Sequence, residues 1–125
     1  MPVTVGICGQ TELVVTDRDT AASLGTGDVP VLATPRLVQL CEQATMAALG
    51  PNLEPGQTTV GFRIEFTHLT PVLVGNTVVA AATLERCEGR RLVFNTSVTD
   101  ACGLVAAGKI TRVLVETERF MEKAR

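Results

Sequence analysis

Three polar residues of this chain stand among apolar neighbours, and their types are those of acid–base chemistry. Glu42 follows Thr34 within a mostly apolar stretch, and His68, the only histidine, ends an alternating run of apolar residues. A buried carboxylate and a buried imidazole both need polar partners. A carboxylate can activate water as a general base, and a helix N-terminus offers N–H groups to a developing negative charge. The three residues are therefore candidates for one catalytic site.

Each of the three also has an interpretation without catalysis. Thr34 could serve only as a helix N-cap, because its hydroxyl can accept a hydrogen bond from the first helical turn. Glu42 could be a solvated glutamate on a helix. His68 could be a core histidine whose hydrogen bonds are satisfied at a strand end. Their combination in apolar surroundings favours the catalytic hypothesis over these three separate explanations.

The segment that must position Thr34 and Glu42, residues 34–49, carries the clearest helix pattern. Thr34 suits the N-cap, Pro35 suits the first helical position, and Gly50 followed by a proline ends the pattern. On a wheel of about 100° per residue, the polar strip is narrow and Glu42 lies at the margin of a wide apolar arc. We therefore predict a helix that is wrapped on most sides, unlike a surface helix. The polar strip holds Arg36, Gln39 and Gln43, and the apolar arc holds Leu37, Leu40, Cys41, Ala44, Ala47 and Ala48, extended by Val38, Thr45 and Leu49.

The rest of the chain predicts strands joined by short turns. Alternating or β-branched segments fall at residues 12–16, 58–70, 76–88, 91–100 and 104–118, and residues 17–27 indicate a loop or short helix that could act as a flap. His68 has the strand parity of Val60, Phe62, Ile64 and Phe66, which places it on the buried face. Consecutive strands favour an antiparallel meander. One apolar helix followed by such a sheet predicts an α+β domain in which a curved sheet wraps the helix.

Composition limits the possible classes of protein. The 125 residues, 46% hydrophobic and 19% charged, predict one domain over residues 1–125 with an aliphatic core, since aromatics are only 3%. A small apolar domain gains burial by dimerising. A net charge of −2 without basic runs excludes nucleic acid as an expected partner. We expect no metal site, because the four cysteines form no CxxC pair. We also expect no signal peptide and no membrane span, and therefore a cytoplasmic location.

At this point the sequence resembles a known family. The stretches V-L-A-T-P-R-L-V-Q-L-C-E (31–42), L-E-P-G (53–56), V-G (60–61), T-H (67–68) and E-G-R-R-L (88–92) are similar to those of the fluoroacetyl-CoA thioesterase family of hot-dog proteins. The resemblance covers about residues 31–120. It implies a hot-dog fold and a catalytic set of Thr34, Glu42 and His68. It also implies that the backbone of Gly61 lies beside the acyl group. Arg112 matches an arginine in the last strand of the family, which implies a part in substrate binding.

The resemblance further implies hydrolysis of a small acyl-CoA thioester to an acid and CoA, with no cofactor other than the CoA of the substrate. Glu42 would activate water, or attack the thioester carbonyl to give a transient anhydride. Thr34 would hydrogen-bond the Glu42 carboxylate or the substrate. His68 would orient the reacting group or protonate the departing thiolate. Hot-dog domains usually form homodimers or dimers of dimers with sites between two helices. Arg90 and Arg91 could meet the phosphates of CoA, or could simply be solvated.

The sequence departs from the family in one place, and alternatives to a thioesterase stay open. The fluoroacetyl enzyme has aromatic lid residues before its helix, whereas residues 17–31 contain no aromatic residue. One alternative is a hot-dog hydratase that acts on enoyl thioesters. Such enzymes usually carry Asp with His on the helix segment, and the absence of a histidine from this helix counts against it. A non-catalytic module that binds acyl-CoA is the remaining alternative. Cys41 next to Glu42 suggests a Cys–His nucleophile, but its place in the apolar arc favours a core position.

Overall fold

The computed structural model describes residues 3–124. Its strands are β1 (Cys8–Val14), β2 (Gln57–His68), β3 (Thr77–Glu88), β4 (Arg91–Asp100) and β5 (Gly103–Glu116), and its helices are α1 (Ala21–Leu24), α2 (Thr34–Leu49) and α3 (Thr117–Lys123). Short 3-10 turns follow β1 (Asp17–Asp19) and α2 (Gly50–Asn52). The five strands form one curled antiparallel sheet around α2. The predicted α+β hot-dog arrangement is confirmed.

The predicted bounds of α2 are confirmed, but the prediction that Thr34 is its N-cap is wrong. Ala33 takes the cap position with an extended backbone (φ −73°, ψ 142°), and its carbonyl accepts the N–H of Leu37. Thr34 is already helical, and its side chain makes no capping hydrogen bond. Pro35 follows in the first turn, where the missing N–H of proline leaves no hydrogen bond unmade. The hydroxyl of Thr34 is thereby left for a partner outside the helix.

Most of the predicted apolar arc of α2 is buried. The buried residues are Leu37, Leu40, Cys41, Ala44, Thr45, Ala48 and Leu49. Ala47, which was predicted on the stripe, is exposed. It follows Gln39 and Gln43 at intervals of four residues, and side chains four apart share one helix face. The polar strip therefore extends one turn further than predicted.

Strand β1 crosses close to α2 because Gly9 has no side chain. A Cβ at Gly9 would lie 2.4 Å from the backbone nitrogen of Ala48.

β1 begins at Cys8 and ends at Val14, whereas the sequence predicted a strand over residues 12–16. The remaining core lies between α2 and the sheet and is aliphatic apart from Phe94, as predicted. No described helix is long and apolar enough to cross a membrane.

The strand order β1-β3-β4-β5-β2 differs from a simple meander. β3, β4 and β5 follow one another through the predicted tight turns at Gly89 and Gly103, both of which adopt positive φ. β2, however, pairs with β5 and not with β3. The reason lies in residues 69–76, which form a long link and not a tight turn. That link bonds to Val105 and Leu32 and carries the chain from the edge strand to the interior of the sheet.

A β-bulge in β2 changes which side chains face the helix. Gly61 pairs with Arg112 and Arg63 pairs with Thr111, so Phe62 is the extra residue. A bulge reverses the alternation of side chains beyond it. The prediction that Val60 shares a face with Ile64 is therefore wrong.

Beyond the bulge, the predicted parity of β2 holds. Ile64 pairs with the buried Ile110, and His68 pairs with the buried Ala106. Directly paired residues lie on the same face of a sheet, so His68 lies on the helix side as predicted. The sequence also extended β5 to residue 118, whereas the chain turns into α3 at Thr117. Seven residues are too few for a helical period to be recognised in the sequence.

Candidate active site

The N-terminal end of α2 and the last residue of β2 bring Thr34 and His68 into direct contact. The Oγ1 of Thr34 lies 2.8 Å from Nδ1 of His68. The Nε2 of His68 lies 3.0 Å from the backbone oxygen of Thr70. A carbonyl oxygen only accepts, so in the neutral ring Nε2 carries the hydrogen and Nδ1 accepts the Thr34 hydroxyl proton. A hydroxyl that donates to an oriented imidazole has the geometry of an activated hydroxyl group.

Glu42 forms a second pair, with Arg112 of β5. Arg112 donates from Nη1 to Oε2 of Glu42 at 3.1 Å, and from Nε and Nη2 to the hydroxyl and carbonyl of Thr59 at 2.8 and 3.0 Å. Only 7% of Arg112 is exposed. Burial lowers the pKa of Arg112, while the charge and hydrogen bond of Glu42 oppose that change. Arg112 therefore fixes the position of the Glu42 carboxylate.

Gly61 leaves the space that this carboxylate occupies. A Cβ at Gly61 would lie 2.8 Å from Oε2 of Glu42 and 3.9 Å from Nη1 of Arg112. A side chain at this position would therefore push the carboxylate away from the strand. The sequence prediction singled out Gly61, Glu42 and Arg112 separately, and the structure places them together.

The three predicted catalytic residues do not form one cluster within the chain. Thr34 and Glu42 stand eight residues apart on α2, which separates them by roughly 12 Å along the axis at about 1.5 Å per residue. Across residues 3–124, no hydrogen bond joins the Thr34–His68 pair to the Glu42–Arg112 pair. The predicted hydrogen bond from Thr34 to the carboxylate is absent within this part of the chain.

Arg90 and Arg91 lie near the second pair and not near the first. Both are exposed, and Leu92, the next residue of β4, is opposite Arg112. The guanidinium carbon of Arg91 stands 4.7 Å from the ring centre of Phe62, a cation–π contact at the bulge. Contact of these two arginines with CoA phosphates stays a prediction.

A cavity of about 360 Å³ borders the Thr34–His68 pair. One wall is the cover segment, which we define as residues 17–31 and which contributes Ala21, Gly27 and Val29. The cover segment contains α1, in agreement with the predicted loop or short helix. Its two ends are held by hydrogen bonds from Ala21 N to the Val31 carbonyl at 2.9 Å and from Ala33 N to the Asp19 carbonyl at 2.8 Å.

An ion pair between Asp19 and Arg36, which was not predicted from the sequence, connects the cover segment to α2. The Nε of Arg36 donates to one carboxylate oxygen of Asp19 at 2.9 Å, and the backbone N–H and hydroxyl of Thr16 donate to the other at 2.8 and 2.9 Å. Burial acts to raise the pKa of Asp19, but these hydrogen bonds outweigh it and hold the pKa below its usual value. The spacing Thr16-x-x-Asp19 is that of a capping box and was the available signal.

Cys41 occupies the core position that its place on the helix predicted. The residue is fully buried, and burial raises the pKa of its thiol to about 12. The thiol therefore stays protonated at neutral pH and does not serve as a nucleophile.

The sequence of this chain matches a known protein family. Residues 15–118 match the family described as fluoroacetyl-CoA-specific thioesterase. The chain is 37% identical over 95 residues to the fluoroacetyl-CoA thioesterase of Streptantibioticus cattleyicolor, covering 76% of this chain and 68% of that protein. The chain belongs to the fluoroacetyl-CoA-specific thioesterase family. The resemblance stated from the sequence is thereby confirmed, and so is the prediction that the chain is a thioesterase.

Solved structures agree with this family membership. A structure of the fluoroacetyl-CoA thioesterase FlK superposes with a TM-score of 0.91 at 32% identity, covering 100% of this chain and 97% of that one. A hot-dog-like protein from Thermanaerovibrio acidaminovorans superposes with a TM-score of 0.88 at 28% identity, covering 95% and 88% of the two chains. The family fold therefore extends over the whole described chain, including the cover segment.

Proposed function

We propose that this protein hydrolyses an acyl-CoA thioester to a carboxylic acid and CoA. The observation that carries the proposal is the Thr34–His68 hydrogen bond at the wall of a cavity, in a chain of the thioesterase family. Water adds to the thioester carbonyl, the carbon–sulfur bond breaks, and the CoA thiolate takes up a proton. Glu42 accepts the proton of the attacking water, or attacks the carbonyl itself to give an anhydride that water then cleaves.

In a dimer, Glu42 of one copy would lie close to Thr34 and His68 of the second copy. β2 is an edge strand of twelve residues, and its side chains Phe62 and Ile64 are 55% and 43% exposed. Antiparallel pairing of two β2 strands about a two-fold axis near Ile64 would bring Gly61 of one copy beside residues 66–68 of the other. Neighbouring strands lie about 4.8 Å apart. Glu42 beside Gly61 would then lie next to His68 of the second copy.

The exposed edge of β2 supports the predicted homodimer, in which the two sites would be composite. Each site would combine Glu42 and Arg112 of one copy with Thr34 and His68 of the other. His68 would orient Thr34 and relay to the departing thiolate the proton that Glu42 has taken from water, and the Thr34 hydroxyl would hydrogen-bond the substrate. The cytoplasmic location and the absence of a cofactor stay predictions.

Substitutions of the three residues test the proposal. Thr34→Val, Glu42→Gln and His68→Ala should each lower kcat for CoA release by a factor of about 100 or more, the usual range for a lost acid–base group. Thr34→Ser keeps the hydroxyl and should retain most of the activity. Glu12→Gln, an exposed carboxylate on β1, is the matched control for Glu42→Gln. Near-normal turnover by Glu42→Gln and His68→Ala would contradict the assignment.

Complementation tests whether the site is shared. The inactive Thr34→Val and Glu42→Gln chains, co-expressed with different tags, should regain CoA release in the mixed dimer, because one of its two sites holds all three residues. If each site belonged to one chain, every site of the mixed dimer would lack one residue and no activity would return.

A further inference from the structure

The cavity beside Thr34 and His68 has a chemical character that narrows the substrate. None of its lining residues is Asp, Glu, Lys or Arg. The walls that do not belong to the Thr34–His68 pair are mainly aliphatic, with Val29 and Val31 on the cover segment and Leu69 and Pro71 after β2. A charged group placed here would lose its hydration without gaining a partner. Within one chain, the lining therefore offers no charged partner to the phosphates of CoA or to a second carboxylate on the acyl group.

We propose that this cavity receives the acyl group of the substrate, and that this group is uncharged, apolar and at least about six carbons in size, since an apolar cavity of about 150 Å³ already holds benzene. The cavity here, at about 360 Å³, has more than twice that volume. A two-carbon acyl group would leave most of it unfilled. The inference rests on the proposed thioesterase function and adds the substrate class.

The cover segment has room for such a group because its cavity-facing residues are small. Gly27 and Ala21 lie against each other, and a Cβ at Gly27 would be only 3.3 Å from the Cβ of Ala21. No aromatic residue occurs between residues 17 and 31. The cover segment therefore places no aromatic ring in the cavity.

Val29 is the residue that we assign to the control of acyl length. It lines the cavity and is 55% exposed, so a larger side chain can enter the cavity without displacing the core. Val14 on β1 is 54% exposed and lies outside the cavity. The substitutions Val29→Phe and Val14→Phe therefore add the same ring at positions of equal exposure, and only the first one narrows the cavity.

The experiment measures kcat/KM for CoA release from acetyl-, butyryl-, hexanoyl-, phenylacetyl- and succinyl-CoA. Each buried methylene contributes up to about a fourfold gain in kcat/KM. We expect hexanoyl- or phenylacetyl-CoA to exceed acetyl-CoA by about tenfold or more, and succinyl-CoA to be poor. Val29→Phe should lower kcat/KM for hexanoyl- and phenylacetyl-CoA by about tenfold while acetyl-CoA is unchanged, and Val14→Phe should change neither.

The outcomes separate this inference from the proposed function. CoA release that is fastest from acetyl-CoA overturns the inference and leaves the thioesterase function intact. An equal loss for all acyl lengths in Val29→Phe also overturns it, because the cavity would then hold the pantetheine arm common to all substrates. Release of CoA from none of the thioesters contradicts the proposed function itself.

Discussion

The substitution Gly61→Ala addresses the placement of the Glu42 carboxylate. The added Cβ would lie 2.8 Å from Oε2 of Glu42, whereas an ordinary contact begins at 3.4 Å. The carboxylate must therefore move by about 0.6 Å or rotate away from Arg112, and a misplacement of about 1 Å in a catalytic group can lower the rate about 100-fold. We expect kcat to fall by a factor of about 10 to 100.

The assay is steady-state CoA release, with thermal unfolding measured in parallel. The three atoms nearest to the added Cβ belong to the side chains of Glu42 and Arg112 and not to the backbone, so the substitution should leave the melting temperature nearly unchanged. Gly50→Ala is the matched control, because Gly50 has a helical backbone and nothing within 4 Å of an added Cβ. That variant should keep full activity. A Gly61→Ala enzyme with unchanged kcat would refute the idea that catalysis depends on the carboxylate held at this strand.

Two further predictions concern stability and thiol chemistry. Asp19→Asn should destabilise the fold by about 2 kcal/mol at pH 6, because it weakens hydrogen bonds to a charged group. The native pKa of Asp19 is lowered, so its contribution is complete above about pH 4 and is lost as the pH falls through that native pKa. Urea unfolding should therefore show the difference from the wild type shrinking towards pH 2, and a constant difference would contradict the ion-pair explanation. Iodoacetamide at pH 8 should modify the exposed Cys8, Cys87 and Cys102 in the native protein, and the intact mass measures the number of modified thiols. Cys41 should react only in urea, because burial raises the pKa of its thiol to about 12. Rapid modification of Cys41 in the native protein would contradict its core position.

The central helix was predictable because its signals agree with one another. Pro35, the proline after Gly50 and the apolar arc all indicate the same sixteen residues, and the structure confirms these bounds. The cap was misassigned because the hydroxyl of Thr34 has two possible partners. Only the three-dimensional approach of β2 shows that the hydroxyl bonds to His68 and not to the first turn.

The features that the sequence did not predict depend on contacts between distant segments. The bulge at Phe62 leaves the alternation of β2 in the sequence unchanged, because it is defined by the pairing with β5. The pairing of β2 with β5 likewise depends on the long link over residues 69–76. The Asp19–Arg36 ion pair joins residues seventeen apart, one in the cover segment and one on the polar strip of α2. The candidate site residues were found by type and parity, but their division into two pairs follows from the length of α2.

The most direct test of the account measures both products of the wild-type enzyme from a panel of acyl-CoA thioesters. Thioester hydrolysis at Glu42 predicts one free CoA thiol and one carboxylic acid for each thioester consumed, and loss of both products in Glu42→Gln. Consumption of an enoyl thioester by addition of water without thiol release would show a hydratase. Tight binding of acyl-CoA with no thiol release from any member of the panel would show a binding module and contradict the account.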